Sequence, residues 1–488
     1  MTTSQKAVPL WMALAPLLFL ISGLTLSVMI FGSDSSAGPN QVMLLLAAAL
    51  AQFFGHRRGL SWAELEKATV HGIGMALNAC LVLLAVGALI GSWMLSGTAP
   101  ALIYYGLALF DPSWFYPAAC LICALISISI GSSWTTAGTM GIALIGIADV
   151  TGMSLAITAG AVVSGAYFGD KLSPLSDSTN LAPAVVGVDL FVHVRHMMWT
   201  TIPSLLIALV LFYLLALNTD IIPDTLSVEQ TRSVLAGLYQ IELVLLLPLV
   251  VLITLSVLRM PAYPAILIGA ASGVAVACIW QQDSVLRFAT QQQWPLLAGA
   301  WQAVSTGYQI ESGNEMIDKL LSRGGMASML NTVWLIMCAM TFGAAMEVTG
   351  FLQRLVQSII RLVSGTTSLV ATTVITAITT NIVAADQYMA IILPGRMFAL
   401  EFKKRGLAPQ NLSRTLEDAG TLTSALVPWN TCGAFMAATL GVATFTYLPF
   451  AFLNLINPVL AIAWAALDIS ITRLEPKPAQ QGAEKAVA

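Results

Sequence analysis

Long apolar segments are the feature of this sequence that most constrains its fold. A helix of about 20 apolar residues is long enough to cross the hydrocarbon core of a bilayer. Only 9% of the 488 residues are charged, whereas a soluble protein carries roughly 25%, so too little charge is present to cover a water-exposed surface. The pattern predicts an all-α polytopic membrane protein. The predicted spans are 9–31, 38–55, 72–95, 153–169 continuing through 181–190, 198–217, 237–258, 262–280, 326–349, 412–419 continuing through 431–445, and 447–468.

The composition also excludes several classes of function. The net charge is −3 and the sequence has no basic stripe, so we expect no nucleic-acid partner. No glycine-rich phosphate loop followed by Lys and Ser or Thr is present, which argues against transport driven by ATP. All six cysteines lie in apolar segments, and no nucleophile–base pair can be placed. We therefore predict neither an enzyme nor a resident cofactor.

Two further apolar regions are too long for a single crossing. Residues 113–150 are interrupted by the polar sequence GSSWTTAGT (131–139), and residues 365–400 by TTNIVAADQ (379–387). A helix, a polar tip and a returning helix would form a re-entrant hairpin in each region. Non-helical backbone at that depth is tolerated only against protein or a water-filled cavity. Hairpins and interrupted helices argue against a continuous pore, so a channel is disfavoured.

Two of the predicted spans are interrupted by polar residues. The first contains GDKLSPLSDSTN (169–180), and the second contains EDAGTLTSALVPWN (417–430). Pro174 and Pro428 each remove a backbone donor and bend the chain. The sequence therefore predicts two broken transmembrane helices whose carbonyl groups are free to bind a ligand.

Polar strings in the second half resemble those in the first, 248 to 250 residues earlier. Lys and Arg in short loops mark the cytoplasmic side and place both termini there, with the two hairpins entering from opposite sides. The pattern predicts an inverted-repeat secondary transporter with a binding site near the membrane midplane. The expected parts are N-terminal helices and a cytoplasmic loop (1–71), a first repeat of scaffold helix, hairpin and broken helix (72–197), connecting helices and loops (198–325), a second repeat (326–470) and a cytoplasmic tail (471–488).

Four acidic residues at the interruptions are the predicted ion- and proton-binding groups: Asp170, Asp177, Asp386 and Asp418. An ionisable group within the membrane is costly and is a candidate functional residue. A carboxylate that accepts either Na⁺ or H⁺ can exchange one for the other. Lys171 could pair with Asp170, or its charge could be displaced by a bound cation.

Neighbouring oxygens could replace the water shell of a hard cation. Alternatively, they form a closed hydrogen-bond network that only holds the broken helices. The predicted coordinating residues are Ser173, Ser178, Thr179, Asn180, Asn381, Thr421, Thr423, Asn430 and Thr431, with Ser132, Ser133, Thr135 and Thr136 at the first hairpin tip.

Three long strings resemble the NhaC-type Na⁺/H⁺ antiporter family of the ion transporter superfamily. They are GAYFGDKLSPLSDSTNLAPAVVGVDLFVHVRHM (165–197), TTNIVAADQYMAIILPGRMF (379–398) and RTLEDAGTLTSALVPWNTCGAF (414–435). The resemblance is strongest over about 110–200 and 325–445. It implies a secondary transporter of the bacterial inner membrane, with two inverted repeats, and a homodimer that works by an elevator-like movement.

The same resemblance leaves two functions open. The family exchanges external H⁺ for internal Na⁺, whereas some relatives couple Na⁺ or H⁺ to organic anions, such as malate against lactate. We therefore expect a Na⁺/H⁺ antiporter, with a Na⁺- or H⁺-coupled organic-acid or amino-acid transporter as the alternative. The alternative requires a carboxylate-binding group, for which the hairpin tips, Lys171 and Arg396 are candidates. Either protein would have membrane lipid, Na⁺ and H⁺ as partners, with a small organic anion added in the second case.

Overall fold

The structure is a computed structural model that describes residues 8–109, 111–218, 225–289, 293–313, 315–360 and 363–474. Within these residues the chain forms helices and turns, and its only β-type pairing is an isolated bridge between Leu407 and Arg473. Six helices are long and apolar enough to cross a membrane, or up to eight if each sharply bent pair counts as one span. The chain is thus a multi-pass membrane protein. The predicted tail beyond residue 474 lies outside the described residues.

The helices fall into three consecutive sets. The first set is Leu10–Phe31, Pro39–Arg57, Trp62–Met75, Leu77–Leu95, Thr98–Ala108, Phe115–Ile130, Ser133–Thr136 with a π-helical turn to Ile142–Thr151, Leu155–Leu172, Asp177–Val186 and Leu190–Leu217. The second is Thr225–Leu238, Leu247–Val257, Ala262–Trp280, Gln282–Phe288, Pro295–Ser305 and Glu315–Leu321. The third is Leu330–Val348, Phe351–Ile360, Thr366–Ala384, Gln387–Lys404, Pro409–Leu416 with a π-helical turn Glu417–Thr421 to Leu422–Ser424, Thr431–Leu440, Thr444–Tyr447 and Phe452–Ala466.

The third set repeats the order of elements in the first. A long helix, a short helix, a helical hairpin and an interrupted helix follow one another in each. We call these hairpins the first hairpin (115–151) and the second hairpin (366–404), and the interrupted helices the first broken helix (155–186) and the second broken helix (409–440). Five of the ten predicted spans are long apolar helices among the described residues, and the sixth such helix, Thr366–Ala384, is an arm of the second hairpin. The other predicted spans are broken or bent pairs of shorter helices, the 15-residue helix Phe452–Ala466, and Pro39–Arg57, which is not among the six.

Several helix ends at the hairpin tips and in the broken helices are separated by 254 residues in the two sets. Ile130 and Ala384 end the first arms of the two hairpins, and the following residues, Gly131 and Ala385, both have positive φ angles of 75° and 58°. The distal halves of the broken helices, Asp177–Val186 and Thr431–Leu440, are the same length and are separated by the same number of residues. The predicted offset of 248 to 250 residues is therefore wrong, because it aligned polar letters and not helix ends.

Small residues bring the first hairpin against the first broken helix. A Cβ atom at Gly165 would lie 2.1 Å from the carbonyl oxygen of Cys120, and one at Gly169 would lie 2.4 Å from the Cβ of Ser127. Small residues at such spacing allow membrane helices to approach closely. Ser127 Oγ also donates a hydrogen bond to the carbonyl of Ala166 at 2.6 Å. This contact places the tip of the hairpin beside the interruption of the helix.

The second hairpin contacts the second broken helix in the corresponding place. The backbone N–H of Thr431 donates to the carbonyl of Ala385 at 3.0 Å. The indole Nε1 of Trp429 donates to the carbonyl of Ile382 at 2.8 Å. In each set, therefore, a hairpin tip and a helix interruption meet, and their polar groups converge in the middle of the chain's packed core.

Candidate ion-binding site

Both hairpin tips and both helix interruptions contribute to one cavity of about 560 Å³. It contains three of the four predicted acids and six of the predicted hydroxyl and amide residues. These side chains face the cavity because they lie close to the end or the start of a helix. The predicted residues that line the cavity are Ser132, Ser133, Thr135, Asp170, Asp177, Ser178, Asn180, Asp386 and Thr431.

Asp170 is the most enclosed of the three acids in the cavity wall. It lies in the last turn of helix Leu155–Leu172, and only 8% of its surface is exposed. The hydroxyl of Ser133, at the first hairpin tip, donates to Asp170 Oδ2 at 2.5 Å. A short hydrogen bond to a carboxylate oxygen is typical of a charge-assisted contact. The first hairpin and the first broken helix thus share one carboxylate.

Asp386 and Asp177 lie at the starts of two different helices that line the cavity. Asp386 caps helix Gln387–Lys404, and its side chain accepts a hydrogen bond from the backbone N–H of Met389 at 2.9 Å. Asp386 therefore caps the helix and lines the cavity, so the capping role does not exclude the functional one. Asp177 is the first residue of the distal half of the first broken helix and is exposed at the cavity.

The cavity wall carries more negative than positive charge. Asp170, Asp177 and Asp386 are its acidic residues, and the one basic residue found in its described lining is Arg259. Arg259 lies in the turn before helix Ala262–Trp280, is exposed, and has a φ angle of 63°. Acidic side chains on low-dielectric walls raise the local concentration of cations, so the cavity favours a cation as its ligand.

Several predicted coordinating hydroxyls bind backbone carbonyls and are absent from the cavity lining. Ser173 donates to the carbonyl of Ile128 at 2.8 Å, and Thr179 donates to the carbonyls of both Asp170 and Lys171 at 3.0 Å. Thr136 donates to the carbonyl of Ser132 at 2.9 Å. The expectation that Ser173, Thr179 and Thr136 face the ligand is wrong in this structure. They satisfy acceptors that the interrupted helices would otherwise leave unpaired.

The amides of the second set form a closed network beneath the second hairpin tip. Asn381 Nδ2 donates to the carbonyl of Gly420 at 2.7 Å and to Thr423 Oγ1 at 3.0 Å. Asn430 Nδ2 in turn donates to Asn381 Oδ1 at 3.0 Å. None of these residues lines the cavity. Thr421 is likewise buried outside the cavity lining, and its hydroxyl has no hydrogen-bond partner among the described residues.

Asp418 lies outside the cavity and pairs with Lys171. Lys171 Nζ donates to Asp418 Oδ1 and, at 2.8 Å, to Asn457 Oδ1, and all three side chains are buried. Thr200 Oγ1 donates to the same Asp418 oxygen at 2.9 Å. Of the two possibilities for Lys171, pairing is correct but the partner is Asp418, not Asp170. Adjacent helical residues point about 100° apart, so Asp170 and Lys171 face different surroundings.

The corrected alignment explains why Asp418 is not the counterpart of Asp170. At a separation of 254 residues, Asp170 corresponds to Ser424 and Asp418 corresponds to Ser164. Ser424 donates to Gln387 Oε1 at 3.1 Å, next to the second hairpin tip, just as Asp170 contacts the first. The two sets therefore share backbone geometry but not acidic positions.

Other residues at the site were not predicted, although the sequence contains signals for some of them. Gln387, Tyr388 and Cys432 directly follow predicted tip or break residues and line the cavity. Extending each predicted polar segment by one or two residues would have included them. Asn457, the partner of Lys171, lies three residues after Asn454 in an apolar helix, and Thr200 lies four residues before Ser204 in another. Polar residues repeated at helical spacing within a predicted span were the signal that could have identified them.

Comparisons with known proteins agree with this assembly of elements. The profile of the Na⁺/H⁺ antiporter family matches residues 165–469. The Na⁺/H⁺ antiporter NhaC of Alkalihalophilus pseudofirmus is 39% identical over 430 residues, which cover 88% of this chain and 90% of that protein. NhaC of Bacillus subtilis is 39% identical over 86% of this chain and 89% of that protein. The malate-2H⁺/Na⁺-lactate antiporter of Bacillus subtilis is 38% identical over 87% of this chain and 89% of that protein.

Proposed function

Because the chain belongs to the Na⁺/H⁺ antiporter family, we propose that it is a secondary active antiporter that exports Na⁺ in exchange for H⁺ through carboxylates of the central cavity. The observation that carries this proposal is the meeting of Asp170, Asp177 and Asp386 with both hairpin tips in one cavity. A negatively charged cavity with hydroxyl oxygens in its wall suits a small hard cation.

The cation would be held mainly at the enclosed end of the cavity. Asp170 and Asp386 supply carboxylate oxygens there, while Ser133 and Thr431 supply hydroxyl oxygens. Asp177, which is more exposed, would attract the ion at the entrance. Without a cation, the carboxylates are left in a partly desolvated space, a situation that favours uptake of a proton. Release of Na⁺ and uptake of a proton by the protein would thus be linked through the charge of these carboxylates.

The proposed arrangement in the membrane follows from the charged loops. The cavity is bordered by Arg259 and by residues 75–79, which follow the basic segment 56–67. Positively charged short loops remain in the cytoplasm, so this conformation would open inward, and both termini would be cytoplasmic. The two hairpins would then enter from opposite sides as an inverted repeat of a bacterial inner-membrane transporter. A homodimer and an elevator-like step belong to the same proposal.

A second candidate function is transport of a small organic acid coupled to Na⁺ or H⁺. The cavity of about 560 Å³ is larger than one Na⁺ requires, and Arg259 at its border is positioned to contact a carboxylate. A relative of this chain is named as a malate and lactate antiporter. Lys171 is committed to Asp418, and Arg396 is exposed and absent from the cavity lining, so neither supports this alternative.

Purified protein in proteoliposomes separates the two candidates. A trapped pH dye would report an imposed pH gradient after addition of Na⁺, Li⁺ or K⁺ with chloride as the only anion, and then with malate, lactate or amino acids. Collapse of the gradient by Na⁺ alone, abolished in Asp170→Asn, is the result that the antiporter proposal predicts. A response that requires an organic acid would overturn it in favour of the second candidate.

A further inference from the structure

One buried acidic residue has no role in the site described so far. Glu417 lies in the π-helical turn of the second broken helix, and its side chain is completely buried. Neither of its carboxylate oxygens has a hydrogen-bond partner within 3.5 Å among the described residues, although the buried and equally unpaired hydroxyl of Thr421 lies beside it. Single π-helical turns within α-helices occur frequently at functional sites. A buried carboxyl group without a partner therefore needs an explanation.

The nearest basic groups are already bound to other residues. Lys171 Nζ is shared between Asp418 and Asn457. Arg414 Nη1 donates to the carbonyl and hydroxyl oxygens of Ser470 at 3.0 and 3.1 Å. No hydrogen bond from either basic side chain to Glu417 is present.

Glu417 and its neighbour Asp418 differ in the hydrogen bonds that their carboxyl groups receive. Asp418 receives hydrogen bonds from Lys171 and Thr200, which stabilise a carboxylate anion. Glu417 receives none, and an ionised carboxylate buried without hydrogen bonds is far more costly than a neutral carboxylic acid. A neutral, protonated Glu417 is therefore the less costly state in this conformation.

We propose that Glu417 carries the proton that is exchanged for Na⁺, at a site separate from the cation-binding cavity. This inference rests on the proposed function and names the proton site within it. The transported proton would sit on a group that touches no Na⁺ ligand. Competition between the two ions would then be electrostatic and not a contest for the same oxygen atoms.

Asp170 provides the electrostatic connection between the two sites. It lines the cavity, and the next residue, Lys171, contacts Asp418, which directly follows Glu417 in the chain; the negative charge of Asp170 opposes that of an ionised Glu417. The other charged or titratable groups on elements packed against this turn are Lys171, Arg414, Asp418 and, hydrogen-bonded to Ser413, His193.

Na⁺ binding at Asp170 would cancel the negative charge that opposes ionisation of Glu417. The O–H bond of Glu417 then breaks, the proton passes to water, and the carboxylate remains, stabilised by the positive charge of Lys171. When Na⁺ leaves, Asp170 again favours a neutral Glu417, which takes a proton from water. Each ion thereby weakens binding of the other, and this coupling is reciprocal.

Glu417→Gln tests the assignment, because glutamine keeps the shape of the neutral acid but cannot release a proton. Proteoliposomes would be assayed in two ways: uptake of radioactive Na⁺ driven by a pH gradient, and exchange of radioactive for unlabelled Na⁺ without a gradient. We expect Glu417→Gln to lose the first activity and retain the second. Glu347→Gln, at a partly buried position of helix Leu330–Val348, is the matched control and should retain both.

Three results would overturn the inference. Gradient-driven uptake by Glu417→Gln at the wild-type rate would place the proton elsewhere. Loss of Na⁺/Na⁺ exchange as well would make Glu417 a structural or Na⁺-binding residue. If Glu417→Gln does not fold, Glu417→Asp replaces it: this variant keeps a titratable group and should transport with a shifted pH profile, and an unshifted profile contradicts the proposal. Failure of the proposed function would look different, since wild-type vesicles would then exchange no Na⁺ at all, and the assignment would fall with it.

Discussion

The first and second broken helices have matching helix ends but use their acidic residues differently. In the first, Asp170 and Asp177 line the central cavity. In the second, Glu417 and Asp418 are completely buried, and Asp418 is held by Lys171 from the first helix. The comparison indicates that similar backbone interruptions can serve different purposes, since one presents its acids to a cavity and the other buries them beside basic side chains.

The largest effect should come from removing the buried counter-charge. Lys171→Met removes the hydrogen-bonded partner of Asp418 and leaves only Arg414 Nε, 3.8 Å from Asp418 Oδ2, as its counter-charge; breaking a buried ion pair costs up to about 3–5 kcal/mol. Thermal unfolding in detergent should therefore show a large drop in stability. Adding Asp418→Asn should recover part of the loss, because the carboxylate that lost its partner is then absent and Arg414 keeps its hydrogen bonds to Ser470. Equal loss in the single and double variants would contradict a direct pair between the two helices.

Asp170→Asn should have the opposite profile, with a large loss of transport and a small loss of stability. Its carboxylate faces the cavity, so its free energy of unfolding should change by about 1 kcal/mol or less. Coupled exchange should fall to the level of protein-free vesicles. Wild-type exchange by this variant would remove Asp170 from the ion site and would erase the contrast with Asp418.

Ser133→Ala should give an intermediate effect on ion binding. Ser133 donates to Asp170 at 2.5 Å and lines the cavity. Loss of a hydrogen bond to a charged group is worth about 1.5–3 kcal/mol, so the apparent Na⁺ affinity should weaken by about ten- to a hundredfold. The dependence of the transport rate on Na⁺ concentration measures this affinity. Unchanged affinity would show that the hairpin tip does not act on the ion site.

Ser173→Ala should have the smallest effect and should leave Na⁺ affinity unchanged. Its hydroxyl binds the carbonyl of Ile128, away from the cavity lining. We expect a stability loss of about 1 kcal/mol, the value of one hydrogen bond. Comparison with Ser133→Ala separates hydroxyls that reach the ion from those that only hold the interruption. Weakened affinity in Ser173→Ala would return it to the ion shell.

The sequence predicts the parts of this molecule better than their alignment. Polar strings inside apolar segments, together with Pro174 and Pro428, correctly locate the hairpin tips and the helix interruptions. Within an interruption, however, composition does not fix where each helix ends. An error of a few residues was enough to equate Asp170 with Asp418, and it also hid the similarity between Asp170 and Ser424.

Side-chain direction and long-range pairing were beyond the sequence for a physical reason. Lys171 and Asp418 are 247 residues apart, and their contact depends on how two broken helices cross. A lysine next to an aspartate in sequence is a natural local partner, yet successive helical residues point in different directions. Likewise, whether a hydroxyl faces a cavity or a freed carbonyl is decided by packing, as Ser133 and Ser173 show.

Direct binding of radioactive Na⁺ to purified protein in detergent tests the central claim most simply. Wild type, Asp170→Asn and the double variant Lys171→Met/Asp418→Asn would be compared over a range of Na⁺ concentrations. If the cavity is the ion site, Asp170→Asn loses binding, whereas the double variant still binds Na⁺. Retained binding in Asp170→Asn together with loss in the double variant would place the ion at the buried pair and contradict the account.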